Sequence, residues 1–233
     1  MPHAVVDGWW LYASQVPPGH ALAGAPPPEG TAVWVVDQAS GARDGPYSEW
    51  WPLEDPAAEP QLRRQGEFAD GEQVGEWILW HPNGRQRRLG RFKGGLEEGR
   101  FVSWFDTGRV ESEGEFVGGR RDGLWVWWRA DKARQKHREA TYVQGRPHGR
   151  WSEWFIDGQA SLVCQYTHGK RHGRYITWHR NGQVAERGEY WEGERHLTWE
   201  RFDERVHHAR EADLPRATGC VGIEPEVDRA ILG

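Results

Sequence analysis

The chain has 233 residues, of which 37% are apolar and 28% charged, and its formal net charge is −5 at pH 7. No stretch approaches the ~20 consecutive apolar residues of a membrane helix, and the start lacks the basic region, apolar stretch and cleavage site of a signal peptide, so we expect a soluble cytoplasmic protein. Residues 66–202 carry 23 basic and 20 acidic groups between acidic ends, which argues against a nucleic-acid-binding protein.

The first 65 residues differ in composition from the rest of the chain and are predicted to form a separate N-terminal segment. The run from Val5 to Tyr12 is predicted to be a strand, and the Pro/Gly/Ala-rich sequence that starts at Gln15 is predicted to be a loop. After this loop, Tyr47 and Trp50 follow two glycines at the spacing found later in the chain, which indicates a degenerate first repeat. An acidic insertion, PLEDPAAEP, then precedes the regular part.

From Gly66 to Phe202 the sequence repeats a unit of about 24 residues six times. An aromatic residue near the start of each unit serves as the reference position: Phe68, Phe92, Phe116, Tyr142, Tyr166 and Tyr190. Glycine follows three places after each of them, and again seven places after all but the last, where Leu197 stands. A second aromatic comes nine places on, and tryptophan comes twelve places on in the first five units: Trp80, Trp104, Trp128, Trp154 and Trp178.

Each unit is predicted to be a β-hairpin. The segment after the second glycine, for example RYITWH, is aromatic and β-branched, and it ends in a turn sequence such as HRNG, whose glycine tolerates a positive φ. A more polar return segment follows and ends at a looser turn such as KGGLEEG. Stacked hairpins predict an all-β fold, an elongated single-layer antiparallel β-meander with irregular or short helical terminal segments. Strands of about six residues predict a ribbon about 20 Å wide.

Side chains alternate between two faces along a strand, and the two faces of the array differ. Ten and twelve places after the reference position, residues such as Ile78 and Trp80 share an apolar face, which we expect to be the structural stack. The other face mixes aromatic and polar residues, and its aromatic stripe is the predicted partner-binding site: Trp77, Phe101, Trp125, Trp127, Trp151, Phe155 and Tyr175. The alternative is that this stripe is the inside of a curved ribbon, packed on itself or under the terminal segments.

Residues 203–233 lose the period and are predicted to form a C-terminal cap or tail. Short helices are predicted from Asp203 to Glu211 and in the sequence PEVDRAIL, which has proline in its first turn. The tail either covers the last strand or docks a partner. The two cysteines, Cys164 and Cys220, are predicted to be reduced structural thiols, and a disulfide between them is the alternative.

The sequence contains no recognisable catalytic or cofactor motif. The histidines show no zinc-ligand spacing with the cysteines, and His148 and His172 each precede the second glycine of a unit, where a turn residue is expected. The glycines are expected in the turns of hairpins, and their spacing matches no phosphate-binding loop. Glu111, Glu113 and Glu115 alternate along a return strand, on a face that we expect to be solvated. We therefore predict no enzyme activity, no metal and no cofactor.

The repeat resembles the MORN repeat in its bacterial second variant, and the tandem array is similar to the YwqK-type antitoxin proteins. The residues that carry the resemblance best are Gly149, Trp151, Trp154, Asp157, Gly158, Tyr166, Gly169, Lys170, His172 and Gly173. The resemblance implies an elongated antiparallel ribbon used for protein–protein contact, sometimes lipid contact, and immunity against a cognate toxin in the YwqK-like group. The chain departs from the pattern at Lys132 and Leu197, where glycine is lost, and in its high tryptophan content.

Three functions remain open at this point. The first is a non-enzymatic protein-binding module, whose sharpest form is an antitoxin or immunity protein that neutralises a co-encoded bacterial toxin or effector. The second is a peripheral lipid-binding scaffold that uses basic residues in the looser turns: Arg120, Arg121, Lys170 and Arg171. The third is a self-assembling structural adaptor, because open sheet edges invite strand pairing.

Overall fold

The computed structural model describes residues 8–11, 16–55, 57–131 and 135–204, and it consists of one antiparallel β-sheet. Fifteen strands follow one another in sequence order, so each inner strand pairs with the strand before it and the strand after it. This confirms the predicted all-β fold, an elongated single-layer meander of hairpin repeats. At about 4.8 Å between neighbouring strands, the sheet extends about 67 Å from its first strand to its last.

The strands of the regular array have eight or nine residues rather than the six expected, so the ribbon is about 30 Å wide. The strands are β1 His20–Ala25, β2 Ala32–Asp37, β3 Arg43–Trp50, β4 Leu62–Ala69, β5 Glu72–Trp80, β6 Gln86–Lys93, β7 Leu96–Trp104, β8 Val110–Val117, β9 Arg120–Trp128, β10 Lys136–Val143, β11 Arg146–Trp154, β12 Ala160–Thr167, β13 Lys170–Trp178, β14 Val184–Trp191 and β15 Glu194–Arg201.

The turns that were predicted to be loose are the tighter ones, which corrects the sequence analysis. Lys93 pairs with Leu96, so Gly94 and Gly95 alone form that turn, with φ of 57° and 73°. Positive φ at both central positions is the type I′ geometry, which matches the right-handed twist of the flanking strands. A pair of glycines therefore permits the shortest connection, and the HPNG-type turns are the longer ones.

Both rows of turns are linked from unit to unit by hydrogen bonds. In the two-residue turns, Gly95 N donates to Gln73 O at 3.0 Å, and the equivalent bond recurs along that edge of the sheet. In the longer turns, the ring of His81 lies in hydrogen-bonding contact with Trp104 O at 2.8 Å. Each unit is therefore tied to its neighbour at both edges as well as through the strands.

The sheet begins earlier than the sequence analysis expected. β1 lies inside the Pro/Gly/Ala-rich sequence that was predicted to be a loop, and the degenerate first repeat is present as the paired strands β2 and β3. The predicted boundary at residue 65 falls within β4, so the N-terminal segment and the array share one sheet. Trp9–Leu11 form a 3₁₀ helix where a strand was predicted. The predicted C-terminal helices lie outside the described residues, apart from Asp203 and Glu204, which are not helical.

Candidate functional site: an arginine-capped column of aromatic rings

One face of the sheet carries a column of aromatic rings that contact one another across the strands. This ring column comprises Trp34, Tyr47, Phe68, Trp77, Phe92, Phe101, Phe116, Trp125, Trp127, Tyr142, Trp151 and Tyr166. The ring centroids of Phe101 and Phe116 lie 4.9 Å apart with their planes at 74°, an edge-to-face contact. Such pairs contribute about 0.5–1.5 kcal/mol each beyond their buried area. Tyr175, Tyr190 and Trp199 form a separate trio on the same face.

The rings lie close to the sheet because the neighbouring return strand offers a small residue beneath them. A Cβ atom added to Gly90 would stand only 2.1 Å from Phe101 Cε1, so no larger residue fits there without moving the ring. The same relation joins three more glycines to tryptophans of the next strand: Gly66 to Trp77, Gly114 to Trp125, and Gly188 to Trp199. Glycine at these positions thus allows a ring to pack closely against the backbone, whereas the turn glycines allow a positive φ.

Two units have a larger residue in place of this glycine, and in one of them the ring above it makes a different hydrogen bond. Ala140 takes the position in one unit, and Trp151, across from it, is half-buried. Trp125, above a glycine, donates from Nε1 to the backbone oxygen of Glu115, whereas Trp151 donates from Nε1 to the side chain of Glu153. The indole of Trp151, which lies across from the methyl group of Ala140, therefore has a different hydrogen-bond acceptor from the indole of Trp125.

Cys164 takes the same small-residue position in the following unit, across from Tyr175. Its side chain is 1% exposed and not in a disulfide. Burial raises the pKa of the thiol to about 11, because the thiolate is poorly solvated there. Cys164 thus has the character of a structural thiol, while Cys220 lies outside the described residues.

Arginine side chains lie over the rings, and we call this side of the sheet the arginine face. Among the described residues, seven guanidinium groups stack on rings of the column or the trio: Arg43, Arg64, Arg88, Arg121, Arg138, Arg171 and Arg195. Arg121 Cζ lies 4.7 Å from the ring centroid of Trp125, and Arg138 Cζ lies 4.1 Å from that of Trp127. Cation–π contacts of this kind contribute about 0.5–2 kcal/mol each.

The stacked arginines differ in how their charge is balanced. Arg64 forms an ion pair with Glu49, and Arg88 and Arg195 pair with carboxylates in the same way. Burial acts to raise the pKa of Glu49, but hydrogen bonds from Arg64 and the Tyr47 hydroxyl hold it below its ordinary value. Arg43, Arg121 and Arg138, by contrast, have no carboxylate of the described chain within 4.0 Å.

Arg171 is held by hydroxyl groups rather than by a carboxylate. It donates to the hydroxyls of Tyr166 and Tyr190, at 3.4 and 3.2 Å. The hydrogen bond with Tyr166 is the main cause that raises the pKa of Arg171 above its ordinary value. Among the described residues, Arg171 is therefore charged and has no carboxylate partner, whereas Arg195, farther along the same face, pairs with Glu186.

The predicted partner-binding stripe lies on the arginine face, but most of it lies beneath the surface. Trp77 is 1% exposed and Trp127 is 8% exposed, and Phe101 and Trp125 fall between these values. The sequence analysis assigned the structural stack to the opposite face, and this was wrong. The reference aromatics share a face with the aromatics nine places on, so the deepest stack forms here.

The remaining three residues of the stripe are half-buried and do not form one cluster. Trp151 belongs to the ring column and Tyr175 to the trio. Phe155 lies at the start of a turn, where Arg180 stands over its ring at 5.9 Å. Sequence reasoning missed the arginines as the outer layer of this face. Their recurrence four places before the reference position, at Arg64, Arg88 and Arg138, was the available signal.

The four basic residues proposed for lipid contact divide between two surfaces. Arg120 and Lys170 are exposed at the start of their strands, beside the two-residue turns. Arg121 and Arg171 follow them directly in the chain, and their side chains point to the arginine face. The four residues therefore do not form one basic patch.

The opposite side of the sheet, which we call the open face, carries a row of half-buried tryptophans: Trp80, Trp104, Trp128, Trp154 and Trp178. An apolar row runs beside them: Ile78, Leu89, Val102, Val126, Val163 and Ile176. At its N-terminal end this face is covered by Trp9, which is 0% exposed and donates from Nε1 to Ser48 Oγ at 3.0 Å. Trp9 packs there with Val33, Val35 and Trp50.

The residue six places after the reference position stabilises the next two-residue turn. Glu98 accepts a hydrogen bond from Gly118 N at 2.8 Å, and His148 Nδ1 accepts one from His168 N at 3.3 Å. This fits the predicted turn role of His148.

The described part of the chain offers few other kinds of site. A cavity of about 180 Å³ lies on the arginine face between Arg64 and Arg88, and it is lined by Trp77 and Phe101. The described residues contain no group of three or more His, Cys, Asp or Glu side chains placed to hold a metal ion. None of their helices is long and apolar enough to cross a bilayer. No protein-family model matches the chain, and no curated protein matches it.

Proposed function

We propose that the protein is a non-enzymatic, MORN-like protein-binding module that presents its arginine face to an acidic surface of a partner protein. The observation that carries the proposal is the layer of stacked guanidinium groups over the ring column. Arginine and aromatic residues are enriched at the hot spots of protein interfaces. Stacking also orients each guanidinium plane in advance, so less side-chain entropy is lost when a carboxylate of the partner binds.

The charge balance supports an acidic partner. Arg43, Arg121 and Arg138 have hydrogen-bond donors and no described carboxylate within ion-pair distance, so their charge is available to a ligand. A guanidinium group on a ring is partly desolvated by that ring, which strengthens its attraction to a carboxylate. The repeat places such groups along a ribbon tens of ångströms long, so an extended acidic surface would contact several units at once.

The sharpest form of the proposal is that the partner is a co-encoded toxin or effector, which the protein neutralises in the cytoplasm. The resemblance to the YwqK-type antitoxin proteins supports this form. The ring column itself serves as the rigid support of the interface rather than as its contact surface, because Trp77, Phe101, Trp125 and Trp127 are buried.

Adjacent residues of the same strands provide a matched test. The partner captured from the source lysate is identified by mass spectrometry, purified and titrated against three forms of the protein. The form with Arg121→Gln and Arg171→Gln loses two stacked charges, and we expect its Kd to rise about tenfold to a hundredfold. The form with Arg120→Gln and Lys170→Gln loses two charges next to them and should bind within about twofold of the wild type. Equal losses in both forms would remove the arginine face as the interface.

A second candidate is peripheral lipid binding along the edge formed by the two-residue turns. Three apolar side chains are exposed there, Leu96 at 53%, Val117 at 56% and Val143 at 43%. Exposed basic residues flank them: Lys93, Arg120, Arg146 and Lys170. Basic and apolar side chains together favour an anionic membrane surface.

The same two double variants distinguish this candidate from the first. Flotation with phosphatidylserine-containing liposomes at low salt should be lost with Arg120→Gln and Lys170→Gln, and retained with Arg121→Gln and Arg171→Gln. Absence of flotation by the wild-type protein would remove the lipid candidate.

A further inference from the structure

One ring of the arginine face lacks the arginine cover that its counterparts have. Nine places after the reference position, and at the equivalent place in the first repeat, six rings have a guanidinium carbon between 4.1 and 5.3 Å from their centroid: Tyr47, Phe101, Trp125, Trp151, Tyr175 and Trp199. The seventh ring, Trp77, has none from the described chain, and the arginines beside it, Arg64 and Arg88, stack on Tyr47 and Phe101 instead. The cavity between Arg64 and Arg88 lies at this interruption.

Two residues of β5 distinguish this unit from the unit that is fully covered. Gln73 stands at the repeat position of Arg121, whose guanidinium group covers the aromatic ring of its own strand. Leu79 stands at the repeat position of Trp127. Both Gln73 and Leu79 line the cavity. Smaller side chains at these two positions therefore leave room above Trp77.

The two arginines that border the cavity are each neutralised on the side away from β5. Both pair with Leu79 across the sheet, Arg64 from β4 and Arg88 from β6. Arg64 forms its ion pair with Glu49 of β3, and Arg88 forms its ion pair with Glu97 of β7. Because both charges are balanced, the walls of the cavity favour a neutral group over an anion.

The cavity has the size of one aromatic ring. Trp77 and Phe101 are 1% and 2% exposed, so they form a closed floor, whereas Leu79 and Phe92 are half-buried and form part of the walls. The volume is about 180 Å³, and engineered apolar cavities of about 150 Å³ bind benzene. Guanidinium planes also stack favourably on aromatic faces. A phenyl ring therefore matches the cavity in both size and chemistry.

We infer that this cavity, which we call the ring pocket, receives the phenyl ring of a phenylalanine or tyrosine of the partner protein. The inference rests on the proposed function, which supplies an acidic partner. Arg43 on β3 and Arg121 on β9 lie on either side of the ring pocket, and neither has a carboxylate of the described chain within 4.0 Å. An aromatic side chain with carboxylates around it thus meets a neutral pocket between two unpaired cations. A buried aromatic anchor of this kind is a typical hot spot of an interface.

A substitution that closes the ring pocket while adding a favourable charge separates this inference from simple charge attraction. Gln73→Arg introduces the residue found at the position of Arg121, and its side chain should stack on Trp77 and fill the pocket. The added positive charge alone would strengthen binding of an acidic partner. We expect instead that the Kd for the purified partner rises at least about tenfold, because the aromatic anchor no longer enters.

Two further variants serve as controls in the same titration. Ser112→Arg adds the same charge at the repeat position of Arg64 and Arg88 but outside the ring pocket, and it should bind at least as tightly as the wild type. Leu79→Trp fills the pocket without a charge, with the residue found at the position of Trp127, and its Kd should also rise at least about tenfold. If Leu79→Trp does not fold, Leu79→Phe replaces it.

Benzene tests the ring pocket without the partner. In the full chain labelled with ¹³C at the leucine methyl groups, the Leu79 signals are assigned as those missing from the spectrum of Leu79→Trp. Saturating benzene should shift these signals in the wild type and leave them unchanged in Gln73→Arg. Absence of a shift in the wild type would overturn the inference, because the pocket would then not accept a ring.

The partner titration separates failure of this inference from failure of the proposed function. An unchanged or lower Kd with both Gln73→Arg and Leu79→Trp would overturn the inference. The proposed function would survive that result if Arg121→Gln with Arg171→Gln still weakens binding. It would fail as well if that double variant bound as tightly as the wild type.

Discussion

The arginine face and the open face belong to the same strands, yet only one of them is closed by the chain itself. Trp125 on the arginine face lies on Gly114, beneath Arg121, and is 4% exposed. Trp104 on the open face is paired across the sheet with Val110 and remains half-buried. Both residues are tryptophans of the same repeat array, so the type of side chain does not decide burial.

What decides burial is the residue beside each ring. A glycine in the neighbouring strand lets an indole lie against the backbone, and a stacked arginine then covers its outer side. On the open face, Trp104 lies opposite Val110 and Trp128 lies opposite Lys136, and both rings are half-buried. A single-layer sheet can therefore bury one face without a second layer, and the predictions below test this account in order of expected effect.

The largest difference is expected between two tryptophan truncations. Trp125→Ala should destabilise the fold by about 3–5 kcal/mol, because it removes a buried ring that contacts two neighbours. Trp104→Ala should cost less than about 2 kcal/mol, because that side chain is already partly exposed. Urea denaturation of both variants measures the difference, and equal costs would show that the faces contribute alike.

A methyl group placed beneath a ring should have the next largest effect. Gly90→Ala places a Cβ atom 2.1 Å from Phe101, so the ring must move and the fold should lose about 1–3 kcal/mol. The control is Ala140→Gly, at the same repeat position, which should change stability by less than about 1 kcal/mol. A tolerated Gly90→Ala, seen as an unchanged denaturation midpoint, would refute the close-packing role of glycine.

Removal of one stacked charge should have a smaller effect. Arg121→Gln should cost about 0.5–2 kcal/mol through the loss of cation–π contacts with Trp125, Trp127 and Tyr142. Arg120→Gln, one residue earlier and exposed, should change stability by less than about 0.5 kcal/mol. Thermal unfolding of the two variants in parallel gives the comparison, and an effect from Arg120→Gln as large as that of Arg121→Gln would contradict it.

The smallest effect expected is a gain in stability. Leu197 replaces the second glycine of the last unit and holds φ at +59° while 72% exposed. Leu197→Gly relieves backbone strain of about 1–2 kcal/mol at a conformational-entropy cost of about 0.5–1 kcal/mol, so the net gain should be about 0.5 kcal/mol.

The control for this gain is the same substitution at the next residue. Thr198 is also exposed and lies in the same strand without a positive φ. Thr198→Gly should therefore destabilise the chain by about 0.5–1 kcal/mol. If both glycine substitutions lower the melting temperature, positive φ at Leu197 does not strain the chain.

The sequence was sufficient for the fold class because the period, the turn glycines and the aromatic strands all point to hairpins. It was insufficient for the buried face because spacing shows which side chains share a face, but not which face has glycines beneath its rings and arginines above them. Leu89 and Arg91 both pair with β7 while Gly90, between them, does not. Gly90 nevertheless lies beneath the ring of Phe101. Residue spacing alone does not reveal it.

The arginine layer and β1 were missed for other reasons. Arginine recurs in the return segments, but without a known register it resembles an ordinary solvated charge. β1 consists of small residues within a Pro/Gly/Ala-rich sequence, and it forms because β2 provides a pairing partner. The position of the arginines over the rings and the formation of β1 both depend on residues of neighbouring strands, which the sequence of the strand itself does not show.

The turn-to-turn hydrogen bonds have a consequence for how such a chain can change over generations. The bond from Gly95 N to Gln73 O joins a unit only to the one before it, and no described turn of this row reaches further. Excision of one whole period, such as Phe92–Glu115, would bring matching ends together and preserve every local bond. The sheet can thus become longer or shorter by one hairpin at a time, while its width stays the same.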